Sequence, residues 1–334
     1  MKAAIVGAGM MAGGYDAAKK RGERGVFTHA GAYAADRRFE LATVCEPDAK
    51  KAAAFLKRWK VPSRVATVRE LAKLSHDVVS VCVPDSAHFD VTRTLLEARC
   101  CGALFLEKPA AGSRREIEAL LSLSSKVGIP VVVNYQRRFE AAHRDLRARA
   151  RRRAPLAVNA YYIKGLRHIG TTMVDTLTFL FGRPLSALAF DAVFSKQAGE
   201  KTVDFVLQFD GFSATVRAAD RRDGGYAYHI FEVDALFEDG RVAIIDNSRS
   251  VRSAKTGAYA YSGVKTLIEG STKPTAYDAA MSAAVDYLAR LLKGARHDVN
   301  RLEDSLNDAL VLEAVEASLH QDRRIAVPER SWKR

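Results

Sequence analysis

The sequence lacks any uninterrupted run of about 18 apolar residues, the least that a membrane-spanning helix needs. It also lacks the charged, apolar and small-residue series with which a secretory signal opens. We therefore expect no membrane partner and a cytoplasmic location. The length of 334 residues and the hydrophobic share of 48% favour a globular protein of two domains.

Cysteine is scarce, with four residues in the chain, and Cys100 and Cys101 are adjacent. Neither these two nor Cys45 and Cys82 have a spacing that is typical of a metal site. The sequence therefore predicts no metal and no disulfide, with reduced thiols throughout.

Acidic residues are fewer than basic ones, 39 against 52, which gives a net charge of +13. Such an excess fits nucleic acid, an anionic small molecule or an arginine-rich surface. The densest cluster, residues 144–153, spreads its arginines around every side of a presumed helix and has no aromatic residues for base stacking. We expect a solvated helix there and no nucleic-acid partner, while an anionic substrate remains compatible with the charge.

The first strong pattern is a dinucleotide-binding fingerprint. A short apolar strand, residues 2–6, leads into GAGMMA at residues 7–12, which has the form G-x-G-x-x-A and opens a helical segment. The first glycine permits the tight turn, the second lets the backbone approach a pyrophosphate, and the small last residue allows close packing of helix on strand. The predicted cofactor-binding residues of this loop are Gly7, Gly9, Met10, Met11 and Ala12.

The next strand, residues 39–45, ends on Glu46, whose carboxylate can accept hydrogen bonds from the adenosine ribose and would repel a 2′-phosphate. This favours NAD over NADP. Glu46 lies 37 residues beyond Gly9 (46 − 9), where about 20 is usual. The excess falls in KKRGERGVFTHAGAY, residues 19–33, whose glycines and charges predict an inserted loop near the cofactor or the substrate.

Strands and helices alternate up to about residue 135, which predicts a doubly wound parallel sheet. Asp48 can cap a helix that ends near Trp59. Ser113 and Glu116 form an S-x-x-E capping box for the helix that reaches Val127. The other predicted strands of this sheet are residues 77–82, 104–106 and 131–134.

The stretch LFLEKP, residues 104–109, ends an apolar strand on a carboxylate, an amine and a proline. Ligands of an open α/β sheet bind beyond the carboxyl ends of the strands. Pro109 fixes its own φ and pushes Lys108 towards an extended conformation, so the direction of the Lys108 side chain is restricted. Burial lowers the pKa of a lysine towards neutrality, which suits an acid/base for a sugar hydroxyl. The alternative is an exposed pair, Glu107 and Lys108, that only closes the strand.

Other side chains are predicted to face the same crevice. Pro84 and His88, from the segment PDSAH, and Glu107 are assigned to the cofactor, with His88 as a structural group in the first turn of a helix. Tyr135 and Arg137 leave the carboxyl end of strand 131–134 and are assigned to the substrate.

Beyond about residue 150 the hydrophobic pattern changes from helical to alternating. In residues 203–209 apolar and polar side chains alternate, so the apolar set lies on one face. Consecutive strands without helices predict an antiparallel sheet with one covered face, and the other face is a candidate dimer interface or substrate wall. The predicted strands are residues 156–163, 186–194, 203–209, 212–218, 231–237 and 242–245, and the predicted helices 277–292 and 303–319.

Together these features resemble the Gfo/Idh/MocA oxidoreductases: a Rossmann strand with GAG, strands followed by PDSAH and EKP, and a second half built as an open sheet. The resemblance runs over nearly the whole chain. It implies that Lys108 lies at the nicotinamide and contacts a sugar, a cyclitol or a nucleotide-linked sugar. We therefore predict a Rossmann domain over residues 1–135 and an α+β domain over 136–334, which binds the substrate and, through its sheet, forms a homodimer or homotetramer.

The second motif of that family is D-x-G-x-H-x-x-D, or H-N-G-S-H-x-x-D in some branches, and its histidine takes or gives the hydroxyl proton. The aligned residues 168–175 are HIGTTMVD, so Gly170 and Asp175 match while Thr172 occupies the place of the histidine. His168 lies one turn earlier and is a candidate for part of that role. Tyr162, Lys164 and Arg167 are assigned to an anionic or polyhydroxylated ligand, although a solvated strand end explains them as well.

Two functional classes remain open. The first is an NAD-dependent dehydrogenase or reductase in which Lys108 is the main acid/base, with His168, Asp175 or Thr172 assisting. The second is a cofactor-binding member with weak or lost catalysis, because Thr172 replaces a histidine. One acid/base group typically contributes a factor of about 10² to 10⁴ in rate, so the loss of one of several does not abolish turnover. We favour the enzyme.

Overall fold

The computed structural model describes residues 1–19 and 25–329, which form two compact units. The N-terminal unit consists of Met1–Phe139 and Asp278–Leu306, and the C-terminal unit of Glu140–Tyr277 and Asn307–Arg334. The chain first passes from the N-terminal to the C-terminal unit after Phe139, close to the predicted boundary at residue 135. The return of a later segment to the N-terminal unit differs from the predicted division, which has a single boundary.

Six parallel strands form the sheet of the N-terminal unit, in the order β3-β2-β1-β4-β5-β6. The prediction of a doubly wound parallel sheet is confirmed. The order reverses between β1 and β4, which is where such a sheet binds its ligand. The strands are β1 Lys2–Val6, β2 Glu40–Cys45, β3 Ser63–Val65, β4 His76–Val81, β5 Cys101–Leu106 and β6 Val131–Val133.

Several helices of the described chain, among them α3 and α6, begin at capping side chains. The carboxylate of Asp48 accepts from the backbone nitrogens of Lys50 and Lys51, and the predicted capping box of Ser113 and Glu116 is present. The helices are α1 Tyr15–Ala17, α2 His29–Ala35, α3 Ala49–Trp59, α4 Val68–Leu71, α5 His88–Ala98, α6 Arg114–Val127, α7 Ala141–Arg152, α8 Thr171–Phe181, α9 Ala280–Leu291 and α10 Leu302–Gln321.

The segment predicted as an inserted loop, residues 19–33, is partly helical. Residues 20–24 of it lie outside the described part of the chain. The hydroxyl of Thr28 caps α2, and the helix buries His29 and Tyr33 in the core. The prediction of a loop is therefore wrong for the second half of the segment, since a threonine cap and apolar residues at helical spacing outweigh its glycines.

The segment Asp278–Leu306 completes the core of the N-terminal unit. In α9 the residues Met281, Val285 and Leu288 are at most 1% exposed and pack in one cluster with Ile5 and Phe105. Burying an aliphatic side chain of this size contributes about 1.5 to 3 kcal/mol. This apolar face explains why the chain returns to the first unit.

The C-terminal unit contains a nine-stranded sheet in the order β14-β13-β12-β11-β7-β10-β9-β8-β15. All neighbours are antiparallel except β7 and β10, so the predicted, mostly antiparallel sheet is confirmed. The strands are β7 Ala157–Tyr162, β8 Ser186–Ser195, β9 Glu200–Gln208, β10 Ser213–Ala218, β11 Glu232–Phe237, β12 Gly240–Ile245, β13 Ser250–Ala258, β14 Lys265–Pro274 and β15 Ile325–Ala326.

One face of this sheet packs on helices. Val203, Phe205 and Leu207 of β9 are buried in a cluster that also holds Val174 and Leu177 of α8, as the alternation predicts. The other face remains partly exposed. Within residues 1–19 and 25–329, no helix combines the length and the hydropathy that crossing a membrane requires.

The arginine-rich segment forms most of α7, and several of its arginines contact the C-terminal unit. Arg149 pairs with Asp239 at 2.7 Å and lies over the ring of Phe237, and the guanidinium of Arg147 lies 4.3 Å from the ring centre of Phe179. These contacts engage part of the positive charge within the unit itself.

Candidate active site

The loop after β1 has the shape that a dinucleotide requires. Gly7 has φ +94°, and a Cβ there would lie 2.6 Å from the carbonyl oxygen of Cys82, so only glycine fits. At Gly9 no described heavy atom comes within 4 Å of where a Cβ would be, which leaves the backbone open to a ligand. Ala12 is fully buried and Met10 is 49% exposed. The residues of the loop therefore fit the predicted cofactor.

The carboxylate of Glu46 is held at the same loop. Its Oε2 accepts from the backbone nitrogen of Ala8 at 2.9 Å, and its Oε1 accepts from that of Asp48 at 3.0 Å. A carboxylate has about four acceptor sites, so two remain for a ribose. Arg64, which the sequence analysis did not assign, donates to the carbonyl oxygens of Glu46 and Pro47.

Lys108 is half-buried just beyond β5, next to a cis bond to Pro109. Burial is the main cause that lowers the pKa of Lys108 below its usual value, and the charge of Arg137 lowers it further. The charges of Glu107 and Asp85 act in the opposite direction. The net direction is the one that an acid/base lysine needs.

Glu107 points into the unit. It is 7% exposed, and its Oε1 accepts from His29 Nε2 at 2.8 Å and from Asn134 Nδ2 at 2.6 Å. Burial alone would raise the pKa of Glu107, but the hydrogen bonds from His29 and Asn134 and the charge of Lys108 outweigh it and lower the pKa. These hydrogen bonds of Glu107, which was predicted to bind the cofactor, are thus made inside the unit.

His88 joins two loops at the carboxyl ends of β4 and β5. It is fully buried, with Nδ1 2.6 Å from the carbonyl oxygen of Pro109 and Nε2 3.0 Å from that of Val83. These contacts agree with the structural role expected of it. Pro84, also assigned to the cofactor, is exposed and precedes the 3₁₀ turn Asp85–Ala87.

The substrate candidates after β6 differ in exposure. Tyr135 is 2% exposed, whereas Arg137 is half-buried in the 3₁₀ turn Gln136–Phe139. Arg137 contributes its charge to Lys108, so the two groups are neighbours.

In the C-terminal unit, the π-helical turn Gly165–Gly170 joins β7 to α8. The carboxylate of Glu200 accepts from the backbone nitrogens of Arg167 and His168, the latter at 2.8 Å. Gly165 has φ +81°, and a Cβ there would lie 2.2 Å from Glu200 Oε1. Glu200 therefore fixes the turn that carries His168.

Three residues predicted to bind the substrate have partners in the C-terminal unit. Tyr162 is fully buried, and its hydroxyl donates to the Val203 carbonyl oxygen at 2.8 Å and accepts from the Val203 nitrogen at 2.9 Å. It is a core residue, contrary to the prediction, because β7 turns it inward. Arg167 forms a bidentate ion pair with Glu316, and Lys164 Nζ lies 3.0 Å from His229 Nε2.

The residues of the second motif differ in burial. His168 is exposed in the turn, whereas Thr172 is 7% exposed and Asp175 is fully buried in α8. Within the described residues, the hydroxyl of Thr172 has no hydrogen-bond partner. A buried hydroxyl without a partner is costly, which makes it available to a ligand.

The N-terminal part of the chain is similar to a known protein family. Residues 1–135 match the model of the Gfo/Idh/MocA oxidoreductase family, which is described by its NAD-binding Rossmann fold. The match covers 135 of the 334 residues, about 40% of the chain. The match agrees with the prediction of an NAD-binding Rossmann domain in this part of the chain.

Curated relatives match shorter segments. D-glucoside 3-dehydrogenase of Escherichia coli is 27% identical over 153 residues, 44% of this chain and 38% of the relative. Myo-inositol dehydrogenase Hyg17 of Streptomyces leeuwenhoekii is 36% identical over 84 residues, 25% of each chain. The chain thus spans less than half of the length of these relatives.

Solved structures share the fold over nearly the whole chain. Levoglucosan dehydrogenase in complex with NADH and levoglucosan has a TM-score of 0.78 and 16% identity, with 98% of this chain and 100% of that chain covered. A protein of Desulfitobacterium hafniense, assigned as an NADPH-dependent oxidoreductase, has a TM-score of 0.78 and 17% identity, with 98% and 97% covered. At these identities the likeness shows the fold.

Several polar residues that contact the predicted site residues were not predicted from the sequence. His29, Ser80 and Asn134 are connected to Glu107, and Glu200 holds the turn before α8. A helical assignment of residues 29–35 would have turned His29 inward. No pattern marks Glu200, whose contacts cross 32 residues or more of sequence.

Proposed function

We propose that this protein is a member of the Gfo/Idh/MocA family and an NAD-dependent dehydrogenase or reductase that acts on a hydroxyl or keto carbon of a sugar, a cyclitol or a nucleotide-linked sugar. The observation that carries the proposal is the half-buried Lys108, whose pKa is lowered, at the carboxyl end of β5. The relatives named as glucoside and myo-inositol dehydrogenases support the substrate class.

The cofactor would be held by the loop after β1 and by Glu46. The open backbone at Gly9 would receive the pyrophosphate, and the acceptors left on Glu46 would receive the ribose hydroxyls. Bound NAD supplies the hydride acceptor for oxidation, and NADH supplies the donor for reduction. The residues proposed to hold the cofactor are Gly7, Gly9, Met10, Met11, Ala12, Glu46 and Pro84. The fully buried His88 supports the loops after β4 and β5.

Lys108 moves the proton. In the oxidation, its neutral amine accepts the proton of the substrate hydroxyl, and in the reduction its ammonium returns a proton to the carbonyl oxygen. The pKa of Lys108 is lowered by burial, so both forms are accessible closer to neutral pH than for an exposed lysine. Such a group typically contributes a factor of about 10² to 10⁴ in rate.

The remaining polar candidates would bind and orient the substrate. In the N-terminal unit we propose this role for Tyr135 and Arg137. For Lys164, Thr172, His168 and Asp175 of the C-terminal unit, a substrate contact or an assisting role rests on the family resemblance alone. The cationic side chains suit an anionic or polyhydroxylated molecule. Arg167 is omitted from this set because its guanidinium is paired with Glu316.

The substitution Lys108→Met tests the proposal, because it removes the amine and keeps a long side chain. On a sugar or cyclitol that proves to be a substrate with NAD, turnover should fall by at least about a hundredfold while the Kd for NAD stays within about twofold. Lys126→Met, on the exposed face of α6, is the control and should behave like the wild type. Near-native turnover of a folded Lys108→Met variant would refute the role of Lys108.

The second candidate is a cofactor-binding protein with weak or lost catalysis, and the absence of the motif histidine at position 172 favours it. This candidate predicts that NAD binds but that no member of a broad panel of sugars and cyclitols is turned over. It further predicts that Thr172→His creates measurable turnover. Turnover by the wild-type protein on any panel member would exclude this candidate.

We further propose that the protein forms a homo-oligomer through the sheet of the C-terminal unit. Large apolar side chains are exposed on its strands: Tyr161 on β7, Phe190 and Phe194 on β8, and Ile268 on β14. Exposed apolar side chains, such as the pair Phe190 and Phe194 on β8, are candidates for a protein interface. Light scattering coupled to size exclusion should give two or four times the chain mass of 36.6 kDa, and a monomer at micromolar concentration would contradict the proposal.

A further inference from the structure

A chain of buried polar side chains runs through the N-terminal unit to Glu107. Tyr33 Oη lies 2.8 Å from Ser80 Oγ, Ser80 Oγ lies 2.9 Å from His29 Nδ1, and His29 Nε2 lies 2.8 Å from Glu107 Oε1. We call Tyr33, Ser80 and His29 the buried chain. Each of its members is at most 1% exposed, so water does not compete for these hydrogen bonds.

The direction of these hydrogen bonds follows from the ionised carboxylate at their end. The lowered pKa of Glu107 leaves it an acceptor only, so His29 Nε2 donates to it. If Nε2 carries the only ring proton of His29, then Nδ1 accepts from the Ser80 hydroxyl, which in turn accepts from the Tyr33 hydroxyl. Every donor of the buried chain is used, and all donors point towards Glu107.

The opposite protonation does not satisfy the same geometry. If His29 were doubly protonated, its Nδ1 would donate to Ser80, and the Ser80 hydroxyl would donate to Tyr33. The phenolic proton of Tyr33 would then need another acceptor, and none is recorded for it among the described residues. An unmet buried donor costs stability. In either arrangement, Nε2 of His29 carries a proton and donates it to Glu107 Oε1.

A second donor meets the carboxylate from another strand. Asn134, just beyond β6, donates from Nδ2 to the same Oε1 at 2.6 Å. The carboxylate is thus fixed by groups from α2 and from the end of β6, and Glu107 directly precedes Lys108 in the chain. The two hydrogen bonds together fix the position of Oε1.

We infer that the buried chain and Asn134 are positioning residues, which keep Glu107 ionised and oriented and thereby hold Lys108 ready for proton transfer. This inference rests on the proposed role of Lys108. The buried chain does not conduct protons to solvent, because its far end, Tyr33, is 1% exposed. It acts through the charge and the position of Glu107.

The sign of the effect on Lys108 follows from its neighbours. In the N-terminal unit the groups that act on Lys108 are Glu107, Asp85 and Arg137, and those that act on Glu107 are His29, Asn134 and Lys108. Cys82 also lies near Glu107, whose charge helps to raise the pKa of that thiol. Losing a hydrogen bond from His29 raises the pKa of Glu107 and weakens its anionic charge. The pKa of Lys108 should then fall further.

The test is the pKa of Lys108 in His29→Phe, which keeps a ring beside Phe105 and removes the donor. Competitive labelling with acetic anhydride over a range of pH, followed by mass spectrometry of the Lys108 peptide, measures this pKa without any substrate. We expect it to fall by about one unit relative to the wild type. His76→Phe is the matched control, since His76 is buried in the same sheet and bonds to Thr43.

Tyr33→Phe provides a milder variant in case His29→Phe does not fold. It removes only the first hydroxyl, so we expect a shift of the same sign and smaller size, with kcat affected more than KM. An unchanged labelling pKa in a folded His29→Phe or, failing that, in Tyr33→Phe would overturn the inference. A shifted labelling pKa together with normal turnover in Lys108→Met would instead sustain the positioning and overturn the proposed function.

Discussion

The carboxylate of Glu46 accepts a hydrogen bond of 2.9 Å from the backbone nitrogen of Ala8, and this bond ties the end of β2 to the glycine loop after β1. Two elements that we propose to contact the dinucleotide are thus held together within the N-terminal unit. The negative charge stays at the loop because a second backbone nitrogen, that of Asp48, also donates to it.

We predict that NAD binds more tightly than NADP. A 2′-phosphate about 4 Å from Glu46, at an effective dielectric near 20, would cost up to roughly 4 kcal/mol per charge, which relaxation and salt should reduce to about one or two decades in Kd. Calorimetric titration with both cofactors measures the ratio. Glu46→Gln should bring the Kd values for NAD and NADP closer together. Equal or tighter binding of NADP to the wild type would contradict the assignment of Glu46.

Thr172→Val should separate function from stability. Valine has nearly the same shape, and the hydroxyl that it removes has no partner among the described residues, so the melting temperature should stay or rise. If the hydroxyl meets the substrate, kcat/KM should fall about tenfold. Thr176→Val, one turn later in the buried helix, removes a bond to the Thr172 carbonyl oxygen and should leave kcat/KM unchanged. Equal kinetics for both variants would exclude a substrate contact of Thr172.

His168→Asn tests whether this exposed imidazole takes over part of the role of the missing motif histidine. We expect turnover to fall by tens-fold or more, and the rate profile to lose the inflection that an imidazole gives at about pH 6 to 7. His320→Asn, exposed in the same unit, is the control. An unchanged rate and profile in His168→Asn would leave Lys108 as the sole acid/base group.

Glu140 should make the stability of the folded protein depend on pH in the acidic range. It is 1% exposed, caps α7, and its pKa is lowered from about 4.5 to about 2 because the hydrogen bonds from His143 and Ala142 outweigh burial. A carboxyl group whose pKa is lower in the folded than in the unfolded protein stabilises the folded state at pH values above its unfolded pKa. This stabilisation is lost as the pH falls towards 2.

The size of that effect is about 3 kcal/mol at pH 6 and about half of that at pH 3. Urea unfolding of the wild type and Glu140→Gln at the two pH values measures it. The difference between the two proteins should shrink at pH 3. A constant difference would mean that the carboxylate contributes only its shape and its hydrogen bonds.

Local patterns predicted most of the N-terminal sheet, since caps such as Asp48 and Ser113 and short apolar strands depend on neighbours in sequence. In α2 the prediction gave more weight to glycine and charge than to the buried spacing of His29 and Tyr33. β13 and β14 escaped prediction because their side chains are polar and largely exposed on both faces, so no alternation marks them.

The motif residues of the candidate site could be proposed from the sequence, whereas the residues that hydrogen-bond to them could not. Lys108, Gly7 and Glu46 follow from patterns of a few residues. The contact between His29 and Glu107 spans 78 positions, and only the packing of α2 on the sheet creates it. Tyr162 was assigned to a ligand because it ends a strand, but the pleat of β7 turns it into the core.

The return of Asp278–Leu306 to the N-terminal unit has a consequence for synthesis on the ribosome. Domains usually fold as they emerge, at about 5 to 20 residues per second. Here the first unit waits for α9 while residues 140–277 are made, which takes roughly 7 to 30 seconds. During that time the apolar groups that α9 will cover, Phe105 and Ile5 among them, depend on chaperones or on transient contacts. The nascent chain is therefore most prone to aggregation before about the last sixth of its length appears.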